Sequence, residues 1–157
     1  MYGVLLKIWS KLNFTVQLKI WIMKFFNDQF LIGVTGIFFD KKDRVLLVRH
    51  SYRGEGKWSL LGGYIKKGEH PREGLEREVD EETGYIVSAD TRLKTRTDRN
   101  NARLDITYMG EFLGGAYKPS KEIIEAKFFK FENLPILPVD QLVFISKACK
   151  LRLLTKH

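Results

Sequence analysis

The chain has 157 residues, a length that suits one folded domain with a sizeable core. Its net charge is +8, yet residues 69–82 hold seven of the 19 acidic side chains and only Arg72 and Arg77 of the 27 basic ones, so the rest carries 25 basic against 12 acidic groups, or +13. A single cysteine, Cys149, excludes an intrachain disulfide; no uncharged apolar run approaches a membrane span, and Lys7, Lys11, Lys19 and Lys24 interrupt every candidate signal-peptide core, so the expected compartment is the cytoplasm.

Residues 1–30 form a basic extension with a single acid, Asp28. Leu5, Ile8, Trp9, Leu12 and Val16 fall at helical spacing with Lys7 and Lys11 opposite, which predicts an amphipathic helix at least as far as Asn13. Beyond it Leu18, Ile20, Trp21, Ile22, Phe25 and Phe26 predict a second helix, apolar nearly all round. Packing on the parent domain, pairing with a second copy as a homodimer, and lying at a membrane surface all suit such a segment; a misplaced start or disorder is the remaining account.

From Leu31 the period changes to that of strands and opens the second expected domain, 31–157. LIGVTGIFFD and RVLLVRH, separated by turn residues 40–43, read as the arms of a hairpin. Gly33 and Gly36 inside the first arm predict either a close approach by another group or a bulge. A turn-rich loop follows, and Trp58 to Gly63 leads into the acidic stretch.

That stretch is GYIKKGEHPREGLEREVDEETGY, residues 63–85. Pro71 suits a first helical turn and Gly84 a left-handed C-cap, which predicts a helix over 71–83. His70 stands at the N-cap, and Glu73 is placed to reach back to it as in a capping box. Leu75 and Val79 make the buried stripe, and Gly74 predicts tight helix packing. Gly62, Gly63 and Gly68 allow positive φ and a backbone close to phosphate oxygens. Glu78, Glu81 and Glu82 share one helix face, where like charges repel unless a cation is present; such a face is a cradle for Mg²⁺ with a substrate's phosphates.

Gly63, Glu69, Arg77, Glu78, Val79, Glu81, Glu82 and Gly84 resemble, at every spacing, the signature of the Nudix hydrolases, with Tyr85 standing where that signature has an aliphatic residue. Leu61 takes the place of a proline usual before the two glycines. The resemblance implies an α+β fold, the α/β/α Nudix sandwich with a mixed β-sheet between helices, here with an N-terminal helical extension. It also implies Mg²⁺, with Mn²⁺ as substitute, at Glu78, Glu81, Glu82 and Gly62. A general base would be Glu78, Glu82 or Glu122 of the late loop; that late-loop acid, Glu122 or else Glu125, could instead supply an extra metal ligand, and Arg77 would pair with Glu69 to orient the loop on the helix.

Further on, residues 86–88 begin a strand, and 92–97 with 103–112 flank a turn at 98–101 as a second hairpin. Arg92, Lys94 and Arg96 alternate, so on a regular strand they share one face; with Gly63 they are the candidate substrate-phosphate contacts, or else a solvated basic edge. Phe128, Phe129 and Phe131 read as strand and core. Val139 to Leu154 predicts a closing amphipathic helix holding Cys149 in the core. The expected function is Mg²⁺-dependent hydrolysis of a phosphoanhydride in a nucleoside diphosphate linked to another moiety, such as a nucleotide sugar, a dinucleotide or a (d)NTP. The alternative is a Nudix-fold module that binds a nucleotide or RNA without turnover.

Overall fold

The computed structural model describes residues 15–26, 30–52 and 57–155. The chain divides into two units, Met1–Phe30 and Leu31–His157. In the first, helix α1 spans Val16–Phe26, with Trp21 stacked on Phe25 at 6.4 Å and both rings exposed. The amphipathic helix expected over residues 5–13 lies outside the described residues. No helix among the described residues is long and apolar enough to cross a membrane.

The second unit holds strands β1 (Leu31–Phe39), β2 (Val45–His50), β3 (Trp58–Ser59) and β4 (Leu61–Tyr64), then helix α2 (Pro71–Thr83). Strands β5 (Tyr85–Asp98), β6 (Arg103–Gly115) and β7 (Ile123–Phe129) follow, then a short 3-10 turn and helix α3 (Val139–Thr155). The sheet is mixed. β1 is its centre, antiparallel to β4 and parallel to β6, whose other edge carries β5. β2 pairs with β3 on one side and β7 on the other.

The expected hairpin of β1 and β2 is present only at its tip, where Phe39 pairs with Val45. Beyond that pair the two strands diverge, and each finds other partners. This explains their nearly continuous apolar character, since both are covered on two faces. Alternate residues divide between the layers. Val34, Phe38, Leu46 and Val48 face Leu75 and Val79 of α2, whereas Ile37, Phe39, Val45 and Leu47 face Ile145 and Ala148 of α3. The result is the α/β/α sandwich. Cys149 packs, partly buried, in the α3 layer, while Phe131, expected in the core, sits in the 3-10 turn with its ring exposed.

The second hairpin is longer than its local pattern suggests, because β5 runs without a break from Tyr85 and absorbs bulges between Ile86 and Val87, Ser88 and Thr91, and Arg92 and Lys94. Tyr85, the aromatic in an aliphatic position, is accommodated by Phe112, Tyr117 and Phe128, with ring centroids 5.2, 6.0 and 6.2 Å away. Leu61 needs no proline ring to hold its backbone: it is buried, and the pairs Gly36–Leu61 through Gly33–Tyr64 fix the segment in the sheet.

Candidate active site

Helix α2 carries the acidic wall of the site, and its ends are held as its sequence predicts. His70 Nδ1 accepts from the Arg72 N–H at 3.3 Å while Glu73 accepts from the His70 N–H at 3.2 Å, so His70 serves as a cap. Gly84 closes the helix at φ 69° and donates to the Asp80 carbonyl. A Cβ on Gly74 would lie 2.9 Å from Ile65 Cγ2, which is why no larger residue stands where α2 meets the loop after β4.

Arg77 organises the carboxylates. Its Nε and Nη2 donate to the two oxygens of Glu69 at 2.6 and 3.1 Å, and its Nη1 donates to Glu78 at 2.9 Å and Glu81 at 2.8 Å. Lys66 Nζ stands 3.3 Å from the other Glu81 oxygen. Burial pushes the Glu81 carboxyl up, but the hydrogen bonds from Lys66 and Arg77 outweigh it and leave the group below the ordinary carboxylate range. The expected Glu69–Arg77 pair is thus extended into a fan that reaches two of the three clustered glutamates.

Glu78, Glu81 and Glu82 line a cleft of about 790 Å³ together with Gly62, Gly63, Tyr64 and Glu122. Its far side is the sheet face built by Gly33, Thr35, Arg96, Arg103, Asp105 and Thr107, and Asp140, Gln141 and Phe144 of α3 complete it. Gly62 and Gly63 do not have positive φ, unlike Gly68 at 90°. What the site requires of Gly63 is space, because a Cβ there would lie 2.5 Å from Glu78 Cδ. Glu122 projects from the segment before β7, where its N–H is held by Ser120 Oγ at 3.2 Å and its carbonyl accepts from the Ser51 N–H at 2.8 Å.

Of the remaining candidates, Arg96 reaches the cleft, whereas Arg92 and Lys94 lie outside its lining. The expected shared face of Arg92, Lys94 and Arg96 fails at the bulge between the first two, and Lys94 instead places its ammonium 5.5 Å from the Phe144 ring. Glu125 lies on β7 in an ion pair with Arg49 at 2.9 Å. Sequence reasoning missed Arg103, Asp105 and Thr107. Their alternation along β6 was legible, but only the parallel pairing with Gly33 and Thr35 of β1 brings them to the cleft.

A divalent cation can be tested against this donor set. The three carboxylates that line the cleft are hard oxygen donors of the kind Mg²⁺ takes, and Gly63 leaves the cradle into which the Glu78 carboxylate fits. Among the described residues no three acidic, histidine or cysteine side chains are grouped closely enough to hold a metal ion as they stand, and Arg77 donates to Glu78 and Glu81. By donor chemistry the residues fit such an ion.

The family model of the NUDIX domain matches residues 29–147. The chain belongs to the Nudix family, and its class is that of a Nudix pyrophosphohydrolase. An ADP-ribose pyrophosphatase of Methanocaldococcus jannaschii is 31% identical over an alignment of 114 residues that covers 69% of this chain and 67% of that protein. The NAD-capped RNA hydrolase NudC of Stutzerimonas stutzeri is 33% identical over 100 residues, covering 63% of this chain but only 36% of the relative. The chain thus spans about two thirds of the first relative and little more than a third of the second. Among solved structures, an ADP-ribose pyrophosphatase from Streptococcus suis superposes with a TM-score of 0.64 at 25% identity, over 77% of this chain and 92% of that one.

Proposed function

We propose that the chain is a Mg²⁺-dependent hydrolase of a nucleoside diphosphate linked to another moiety, with ADP-ribose the first substrate to test. The observation that carries this reading is that Glu78, Glu81, Glu82, Gly62 and Gly63 line one cleft, with Glu78 seated where Gly63 lacks a side chain. The likeness to two proteins described as ADP-ribose pyrophosphatases supports the substrate class.

Glu78, Glu81, Glu82 and the Gly62 carbonyl would hold the ion, which when bound supplies charge neutralisation at the diphosphate and acidifies a coordinated water. The protein's own part is positioning and proton transfer. Arg77 fixes the acidic wall by its fork to Glu69 and its reach to Glu78 and Glu81. A cleft carboxylate takes the proton from the attacking water, and Glu78, Glu82 and Glu122, which line the cleft, are the candidates for that base. Arg96 lies on the opposite wall as a substrate contact.

Purified full-length protein with Mg²⁺ or Mn²⁺ is to be assayed against ADP-ribose, NAD-capped RNA, nucleotide sugars, dinucleotides and (d)NTPs, with release of a nucleoside monophosphate as the readout. Cleavage of at least one diphosphate-linked substrate is expected. Glu81→Gln is expected to lower turnover by about a hundredfold or more with its melting curve intact; undiminished turnover in that variant removes the metal assignment.

A further inference from the structure

The cleft has two walls of different chemistry, and the wall on the sheet has a use that the glutamates do not cover. One row crosses four strands in register: Tyr64 on β4 beside Gly33 on β1, Gly33 beside Asp105 on β6, and Asp105 beside Arg96 on β5. All four line the cleft, with Arg103 one alternate position before Asp105. Gly33 is the floor of this row. A Cβ there would stand 2.8 Å from Asp105 Oδ1, 3.8 Å from the Tyr64 ring and 3.9 Å from Arg103 Cδ, so the glycine keeps a slot open among them.

Asp105 holds two guanidinium groups. Arg103 Nε lies 2.8 Å from its Oδ1, and Oδ2 accepts from Arg103 Nη2 at 3.1 Å and from Arg96 Nη2 at 3.3 Å. Arg96 also approaches Asp140 at 3.9 Å, and Arg103 approaches Asp98 at 3.7 Å. Within the wall two arginines are balanced by Asp105 and Asp140, so it has no net positive charge to offer a phosphate. What remains is an array of N–H donors beside carboxylate acceptors, bordered by the exposed face of Tyr64 and by Phe144. A vicinal diol both donates to such carboxylates and accepts from such guanidinium groups, and the C–H face of a sugar packs on an aromatic ring.

The geometry points to this row as a subsite for the uncharged, diol-bearing sugar of the substrate, with Asp105, Arg96 and Arg103 as its specificity-determining residues. This rests on the nucleotide reading above and adds which half of the substrate the sheet wall takes. The diol has two sources, the ribose of the nucleoside and a sugar on the far phosphate.

Binding to the full-length protein without added metal separates them and does not depend on turnover. Four probes are titrated by calorimetry: AMP, 2′-deoxy-AMP, ribose 5-phosphate and 2-deoxyribose 5-phosphate. Tighter binding of AMP than of its deoxy analogue, by about tenfold for one hydrogen bond to a charged group, assigns the nucleoside ribose. A preference within the sugar phosphate pair that is absent from the nucleotide pair assigns the distal sugar. Asp105→Asn is expected to abolish whichever preference exists; because Asp105 joins two arginines, Arg96→Gln, at a more exposed position, is the second variant and is expected to reduce it with an unchanged melting curve. Equal affinity within both pairs, absence of binding by all four, or a preference that survives both variants overturns the inference. If the hydrolysis panel succeeds while these affinities are equal, the subsite fails alone; if the panel fails while the diol preference holds, the reaction fails alone.

Discussion

Arg77 and Glu69 meet as a fork, with Nε 2.6 Å from one carboxylate oxygen and Nη2 3.1 Å from the other, and both side chains are about four-fifths covered. The hydrogen bonds from Arg77 and from the Lys66 backbone hold the Glu69 carboxyl at about 2, against 4.5 when unperturbed. A pKa lowered by folding means that the unfolded chain binds more protons over this window, so stability rises with pH there. The contribution is complete above pH 4.5 and is lost as pH falls toward about 2. Melting wild type and Glu69→Gln across this range should show the gap in Tm widest near neutrality and closing on acidification. A gap that is constant with pH would show that the pair does not titrate as its geometry requires.

Gly63→Ala tests space without touching a charge. The new methyl would lie 2.5 Å from Glu78 Cδ, and a flexible side chain is what must yield. The fold should therefore survive, with an unfolding free energy within about 1 kcal/mol of wild type. Activity should not, since displacing a site carboxylate by about an ångström can cost roughly a hundredfold in kcat/KM. Full activity in a folded variant would mean that the seat of Glu78 is unimportant.

Helix α3 is tied to the sheet by Arg152, which reaches Asp43 in the β1–β2 turn at 2.7 Å, binds Glu111 of β6, and lies 4.7 Å over the Phe39 ring. Burial lowers the affinity of Arg152 for its proton, but the hydrogen bond to Glu111 dominates and raises it, so the side chain is a fixed cation. Arg152→Met keeps the aliphatic stem and removes the charge; it should cost about 1–3 kcal/mol in chemical denaturation. A change below about 0.5 kcal/mol would place these contacts among surface pairs of no consequence.

Arg152 also shows where sequence reading stops. The limits and caps of α2 were legible because Pro71, His70, Glu73 and Gly84 act on backbone groups within a turn of themselves. The buried alternation of β1 and β2 was legible, but their partners were not. Nothing local distinguishes two arms of a hairpin from two strands that part after Phe39 and Val45, and the parallel pairing of β1 with β6 joins segments far apart in the chain. The same non-local step hid Arg103 and Asp105 from the site. The bulge that separates Arg92 from Lys94 broke a period that the residues alone display as intact.

The thiol of Cys149 should be slow to react. It packs beside Ile145 and Ala148 in the α3 layer, and burial pushes its pKa up, which lowers the thiolate fraction that attacks a disulfide reagent. Reaction with an aromatic disulfide at pH 7.5 should run more slowly than that of a free thiol and accelerate when the protein is unfolded in denaturant. Rapid labelling of the native chain would contradict the packing of α3.

Arg77 is the side chain on which stability and the metal site bear together. It donates to Glu69, Glu78 and Glu81 at once, so Arg77→Ala leaves Glu69 without its fork and exposes Glu78 and Glu81 to each other's charge. Loss of hydrogen bonds between charged groups at a partly covered site should cost about 1–3 kcal/mol. The repulsion left behind is the kind that a divalent cation relieves, and an ion that binds only the native state raises Tm by mass action. Mg²⁺ should therefore raise the Tm of Arg77→Ala by more than it raises that of wild type. Arg77→Lys, which keeps one charge but cannot form the planar fork, should fall between the two. If Mg²⁺ raises all three equally, Arg77 does not act on the glutamates that the cation would occupy, and its part is confined to holding Glu69.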